Sequence, residues 1–159
     1  MAYMLQPLLN IRIMREDRAS GELTAARRAV RTAEETVEKR NQEFEDFERT
    51  KEERQDRIWN AVIGRTVDRD QIDLARDGIA RIDEEGVLRL DNVRQAKAEL
   101  KRRQDAAEVA RAVFIAASKD RTKIDEHKSA WLIEEAKEAE ARAEGELEDF
   151  TGRKQDIDD

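Results

Sequence analysis

"GRTVDRDQIDLARDGIARIDEEG", residues 64–86, separates two long stretches in which apolar or small residues recur at alternating steps of three and four. Whether this segment bends the chain or continues it decides the fold. Gly64 and Gly86 suit a turn and a helix stop. Thr66 or Asp70 could cap a short helix between them, with Ile72, Ala75, Ile79 and Ile82 as its apolar stripe. The segment reads as the tip of a hairpin, residues 64–87, or as an extension of one of the long helices. Local sequence leaves both open.

Upstream, the row runs through Leu9, Ala19, Leu23, Ala26, Val30, Ala33, Val37, Phe44, Phe47, Ile58 and Ala61. Glu16, Arg40, Lys51 and Arg54 interrupt it, and their long stems can still cover apolar surface. Downstream, Leu90, Val93, Ala96, Leu100, Ala107, Ala110, Phe114, Ala117, Ile124 and Trp131 form a second row. That row then shifts phase by one residue and continues through Leu132, Ala136, Ala139, Ala143, Leu147 and Phe150. Seams this narrow are of the coiled-coil kind, and helices so poor in large apolar residues draw their stability from pairing. The expected organisation is a first long helix over 3–63, a tip over 64–87, a second long helix over 88–151 and an acidic tail over 152–159. At ~1.5 Å per residue, each arm would run roughly 90 Å.

Composition narrows the classes. Of 159 residues, 43% are charged, 38% hydrophobic and 4% aromatic, which is little apolar material for a globular core. No cysteine is present, so disulfide and thiolate chemistry are excluded. The net charge of −7 argues against nucleic acid as a partner, because phosphate binding needs a basic face. The opening "MAYMLQPLLNIRIMRED" has no basic region before its apolar stretch and meets Arg12 too soon for a signal peptide. No run approaches the ~18 apolar residues of a membrane span, so a cytoplasmic location without membrane insertion is expected.

Charge patterning addresses orientation. With the fold point near residue 75, residues facing each other have numbers adding to about 151. Residues 1–31, net +3, would then face 120–150, net −6, and residues 28–54, net −2, would face 97–123, net +4. Opposite signs in both halves favour an antiparallel hairpin over a parallel homodimer, in which each block meets its own copy. The expected fold is all-α, a long two-stranded antiparallel coiled-coil hairpin with a short helical or irregular tip.

The segment "DEHKSAW", Asp125 to Trp131, holds the only histidine and one of two tryptophans. One histidine without cysteine gives no metal ligand set. No nucleophile stands in a strand–turn–helix context, and no glycine-rich phosphate loop exists. Acidic pairs such as Glu134–Glu135 read as a solvated face. No catalytic residue, metal or cofactor is expected. Trp131 reads as a seam residue, with Ala19, Ser20 and Gly21 opposite it as room for the indole, and His127 as a solvated or partner-facing ring.

The stretch "YMLQPLLNIRIMREDRA", Tyr3 to Ala19, resembles the N-terminal signature of YscO-type proteins of type III secretion. That signature is an apolar LxPLLxI stretch, then a basic segment and Asp-Arg-Ala, here Asp17, Arg18 and Ala19. "HKSAWLIEEAKEAEARAEGELEDF" is similar to a second family segment, in which His-Lys, two variable residues and Trp precede a Glu/Ala-rich tract. The flagellar counterpart of the family is FliJ. The resemblance implies a non-enzymatic central stalk of a type III secretion ATPase complex. Its joined termini would enter a hexameric ATPase ring and its tip would reach toward the export-gate membrane protein. Secretion chaperones and the needle-length regulator are further partners that it implies. With the register above, Arg12, Arg15, Asp17, Arg18, His127, Lys128 and Trp131 would form one partner-binding collar near the open end; ordinary interhelical ion pairing is the competing account. A coiled-coil scaffold or chaperone-like binding module outside secretion is the alternative function.

Overall fold

The computed structural model describes residues 1–155, and among these there is no strand. Two helices carry almost everything: α1, Gln6–Asn60, of 55 residues, and α2, Arg69–Gln155, of 87 residues. The expected tail over 152–159 is helical as far as Gln155, and its last four residues lie outside those described.

Both ends of the connection follow from local chemistry. The last turn of α1 tightens as Val62 and Ile63 donate their amides to the Trp59 carbonyl. Gly64 then takes a φ of 73°, a left-handed conformation that a side chain resists, and the helix stops. On the far side the Asp68 carboxylate accepts the Gln71 amide at 2.8 Å, while the Gln71 side chain accepts the Asp68 amide at 3.0 Å. This reciprocal capping satisfies two otherwise orphaned donors and starts α2. Asp68 is thus the cap, not Thr66 or Asp70.

The tip expected over 64–87 is therefore much shorter. Residues 69–87 extend the second helix, because the stripe assigned to a separate short helix packs on α1: Ala75 and Ile82 are buried. Gly86 is no stop. It lies inside α2, and a Cβ there would come within 2.7 Å of the Phe47 ring, so the glycine makes room for a buried phenylalanine.

The chain forms two compact units. One comprises Met1–Glu22 with the chain from Arg111 onward; Tyr3, Leu9 and Ala19 are its buried residues. The other, Leu23–Ala110, buries Leu23, Ala33, Phe47, Ala75, Ile82, Val93 and Ala96. In each, a segment of α1 packs antiparallel against a segment of α2, and the fold class is the all-α helical hairpin. Every residue of the expected α1 row except Ala61 is buried or half-buried, including the interrupting Glu16, Arg40, Lys51 and Arg54. Arg54 and Arg89 lie over the Phe47 ring at 5.8 and 5.9 Å, their stems roofing the seam.

The register differs from the expected one. In the first unit, the numbers of facing residues add to between 130 (Tyr3 with His127) and 137 (Glu16 with Arg121). In the second they add to between 133 (Phe47 with Gly86) and 139 (Arg54 with Glu85). The shorter connection moves the fold point from residue 75 to near residue 67. Residues 1–31 then face 103–133, which hold six bases and five acids, so the opposed charge blocks are not realised at this end. Individual pairs replace them.

Candidate functional site

The N-terminal signature and the His-Lys-x-x-Trp segment both lie in the unit that contains the start of α1. Tyr3, the chain's only tyrosine, precedes α1 and is 8% exposed. Its carbonyl accepts the Gln6 amide, which anchors the residue against the first turn. Its hydroxyl is 2.7 Å from His127 Nδ1. Its ring lies 5.3 Å from Trp131, tilted by 45°. An offset, tilted pair of this kind adds to the area buried. Lys128 donates to the Gln6 side chain at 2.8 Å. His127, Lys128 and Trp131 thus clamp the residues before and at the start of α1. His127 is exposed, yet its ring is engaged by Tyr3.

This places the indole opposite Tyr3 and not opposite Ser20. A Cβ on Gly21 would meet nothing within 4 Å, so that glycine makes no room for Trp131. Ala19 is buried, in a groove with Val113 and Ala117. The His127–Trp131 segment consequently meets the start of the N-terminal stretch, at Tyr3 and Gln6, and not its Asp17–Ala19 end. The shift of register that moved the fold point moved that contact toward the chain start.

The second cluster is ionic. Arg12 donates to Asp120 at 2.9 Å and is mostly covered, its Nε buried without an acceptor, so it belongs to the seam more than to the surface. Glu16 accepts from Arg121 at 2.7 Å, and Arg121 also reaches Asp125. The Arg121 hydrogen bond holds the Glu16 carboxyl below its usual range against the cost of partial burial, and Glu16 in turn raises Arg121. Arg18 is exposed, and its Nε donates to Glu22 one turn on at 3.1 Å. Arg15 and Asp17 are exposed, and Arg15 makes no ion pair among the described residues. Arg12, Arg15 and Arg18 line the groove floored by Ala19, Val113 and Ala117.

Sequence reasoning missed Tyr3, Gln6, Glu16, Asp120 and Arg121. The uniqueness of Tyr3 was a signal; the others carried none until the register was known. Beyond Glu135, which the terminal ammonium of Met1 meets at 3.2 Å, residues 136–151 of α2 are exposed throughout. The phase-shifted row Ala136, Ala139, Ala143, Leu147 has no α1 residue to pack on. Among the described residues no group of three or more His, Cys, Asp or Glu is placed to hold a metal, and no helix is long and apolar enough to cross a membrane.

The model of the family described as type III secretion protein YscO matches residues 5–153. No curated protein and no solved structure matches the chain.

Proposed function

Because the chain belongs to the type III secretion protein YscO family, we propose that it is the non-enzymatic central stalk of a type III secretion ATPase complex. In this reading it works in the cytoplasm at the inner-membrane apparatus, with its open end in the hexameric ATPase and its connection directed at the export-gate membrane protein. The observation that carries it is the family match over nearly the whole chain, together with a fold of two long paired helices. Two paired, highly charged helices with a seam of small buried residues suit a part that holds position between partners.

The site residues divide by role. His127, Lys128 and Trp131 act inward, fixing Tyr3 and Gln6, and so set the register of the open end. Arg15 and Arg18, with Asp17 between them, are the groups that reach the ATPase; Arg12 supports them from the seam. Exposed charges act mainly on encounter and orientation, so their removal should change association and its salt dependence more than the fold.

The test is to mix the purified chain with its secretion ATPase and measure both binding and hydrolysis. Binding with altered hydrolysis is expected, weakened about tenfold in the Arg15→Glu, Arg18→Glu double variant. A chain that neither binds the ATPase nor changes its hydrolysis would remove the stalk reading.

A further inference from the structure

Two turns of α2 in the open-ended unit are apolar on every side. Residues 112–118, AVFIAAS, hold no charge in a chain that is 43% charged. A helix that is apolar all round is normally buried all round. Here α1 covers one side only: Phe114, Ala117 and Ser118 are half-buried, while Val113 is 49% and Ile115 39% exposed. Val113 and Ile115 are two residues apart and so point to nearly opposite sides of the helix. The Val113 side is the groove with Arg15 and Arg18. The Ile115 side is a second groove, of about 370 Å³, lined by Phe114, Ile115, Ser118, Lys119, Thr122 and Lys123.

This second groove offers a partner apolar surface and positive charge, and little else. Thr122 spends its hydroxyl proton on the Ser118 carbonyl. Lys119 and Lys123 are both exposed and stand one turn apart, a spacing at which like charges destabilise a helix. Of the acids three or four residues from either, Asp120 is held by Arg12, and Glu126 meets neither lysine. Neither lysine makes an ion pair among the described residues. An exposed apolar floor beside cations that the chain leaves unneutralised is complementary to an apolar residue flanked by acids.

We propose that this groove docks an acidic amphipathic helix of a partner protein. Ile115, Lys119 and Lys123 follow one another at steps of four, along about 12 Å of α2. A helix laid beside them matches that spacing with one large apolar residue against Phe114 and Ile115, and with carboxylates four and eight residues away at the two lysines. The chain's net charge of −7 works against any acidic ligand, so binding of one demands this local site. The same net charge disfavours an anionic membrane, and a groove takes the ridge of a helix better than a flat lipid surface. The proposal rests on the Ile115 side of α2 and not on the stalk reading, whose arginines lie on the Val113 side.

The probe is a labelled, alanine-based helical peptide of about twenty residues that carries Leu, Glu and Glu four apart. Its fluorescence anisotropy is followed as the full chain is added to about 1 mM. Saturable binding that salt weakens is expected. A peptide with Gln for both Glu should bind about fivefold more weakly. An Ile115→Gln chain should also lose about fivefold, which a contact made by charge alone would not. The Lys119→Glu, Lys123→Glu chain should bind at least about tenfold more weakly, with far-ultraviolet circular dichroism unchanged, and should regain binding to a peptide with Lys for both Glu. No binding by the wild-type chain, equal binding of the Gln peptide or by the Ile115→Gln chain, or no recovery in the swapped pair would each overturn the proposal. Co-sedimentation of the wild-type chain with phosphatidylglycerol vesicles, lost in the Lys119→Glu, Lys123→Glu chain, would assign the face to a membrane and overturn it too.

Discussion

Gly21 and Gly86 are both interior helix glycines, and their surroundings predict opposite outcomes for the same substitution. At Gly21 a Cβ meets open space, so Gly21→Ala should gain about 1 kcal/mol from helix propensity alone. At Gly86 a Cβ would lie 2.7 Å from Cε1 of Phe47, a ring that is itself 3% exposed and cannot swing away freely. Gly86→Ala should therefore cost about 1–3 kcal/mol despite the better propensity. Thermal melts of the two variants check this, and equal shifts in one direction would contradict the packing at Phe47. The Tyr3 hydroxyl offers a third residue-scale test. Tyr3→Phe keeps the ring against Trp131 and removes only the bond to His127, so about 1 kcal/mol of stability should be lost, read from a denaturant midpoint at unchanged slope.

At the scale of elements, the register of α1 on α2 is the quantity that sequence patterning missed, and the chain carries its own reporter. Lys51 Nζ lies 3.2 Å from Asp83, close enough for a carbodiimide to convert the ion pair into an amide. The expected product of zero-length cross-linking is Lys51 joined to Asp83, identified by peptide mass. The register with a fold point near residue 75 would instead put Lys51 beside Glu99, and a Lys51–Glu99 product would restore it. The helix extents carry the same lesson. A capping pair at Asp68 and Gln71 starts α2 far earlier than the glycine at 86 suggested, because a stripe that can bury Ala75 and Ile82 outweighs the cost of glycines at 78 and 86 inside the helix.

For the whole molecule, the ion pairs set a pH dependence whose sign is fixed. Glu16 is held below its ordinary 4.5 chiefly by the Arg121 hydrogen bond, and Glu85 chiefly by Arg54, then Arg89. The Glu16–Arg121 and Glu85–Arg54 pairs join α1 to α2, whereas Arg89 lies one turn from Glu85 on α2. A carboxyl whose folded pKa is depressed contributes stability that is present above its unfolded value and lost as pH falls through the folded one. Melting temperature should therefore hold above about pH 4.5 and decline below it. Arg121→Gln removes the partner of Glu16 and should flatten that decline. An unchanged acid profile in this variant would show that the Glu16 pair does not contribute.

Periodicity in the sequence determined the helical class and the seam, because a thin coiled-coil core depends on which residues recur every three or four positions and on little else. Leu9, Ala19, Ala33, Phe47, Val93 and Ala96 were all legible in this way and all are buried. The hairpin was legible too, although the charge blocks that argued for it do not face each other at the open end. Net charge over thirty residues varies slowly with register, so it separates antiparallel from parallel more readily than one alignment from the next. Only the tertiary structure decided the register, through contacts each specific to one alignment: Phe47 on Gly86, Glu16 on Arg121, Tyr3 on His127 and Trp131. That choice brought the His127–Trp131 segment onto Tyr3 and Gln6 and left Arg15 and Arg18 away from it, beside a groove with Val113 and Ala117. It also left the acidic end of α2 uncovered, because the length of each helix past its partner follows from the fold point and not from the composition of either helix.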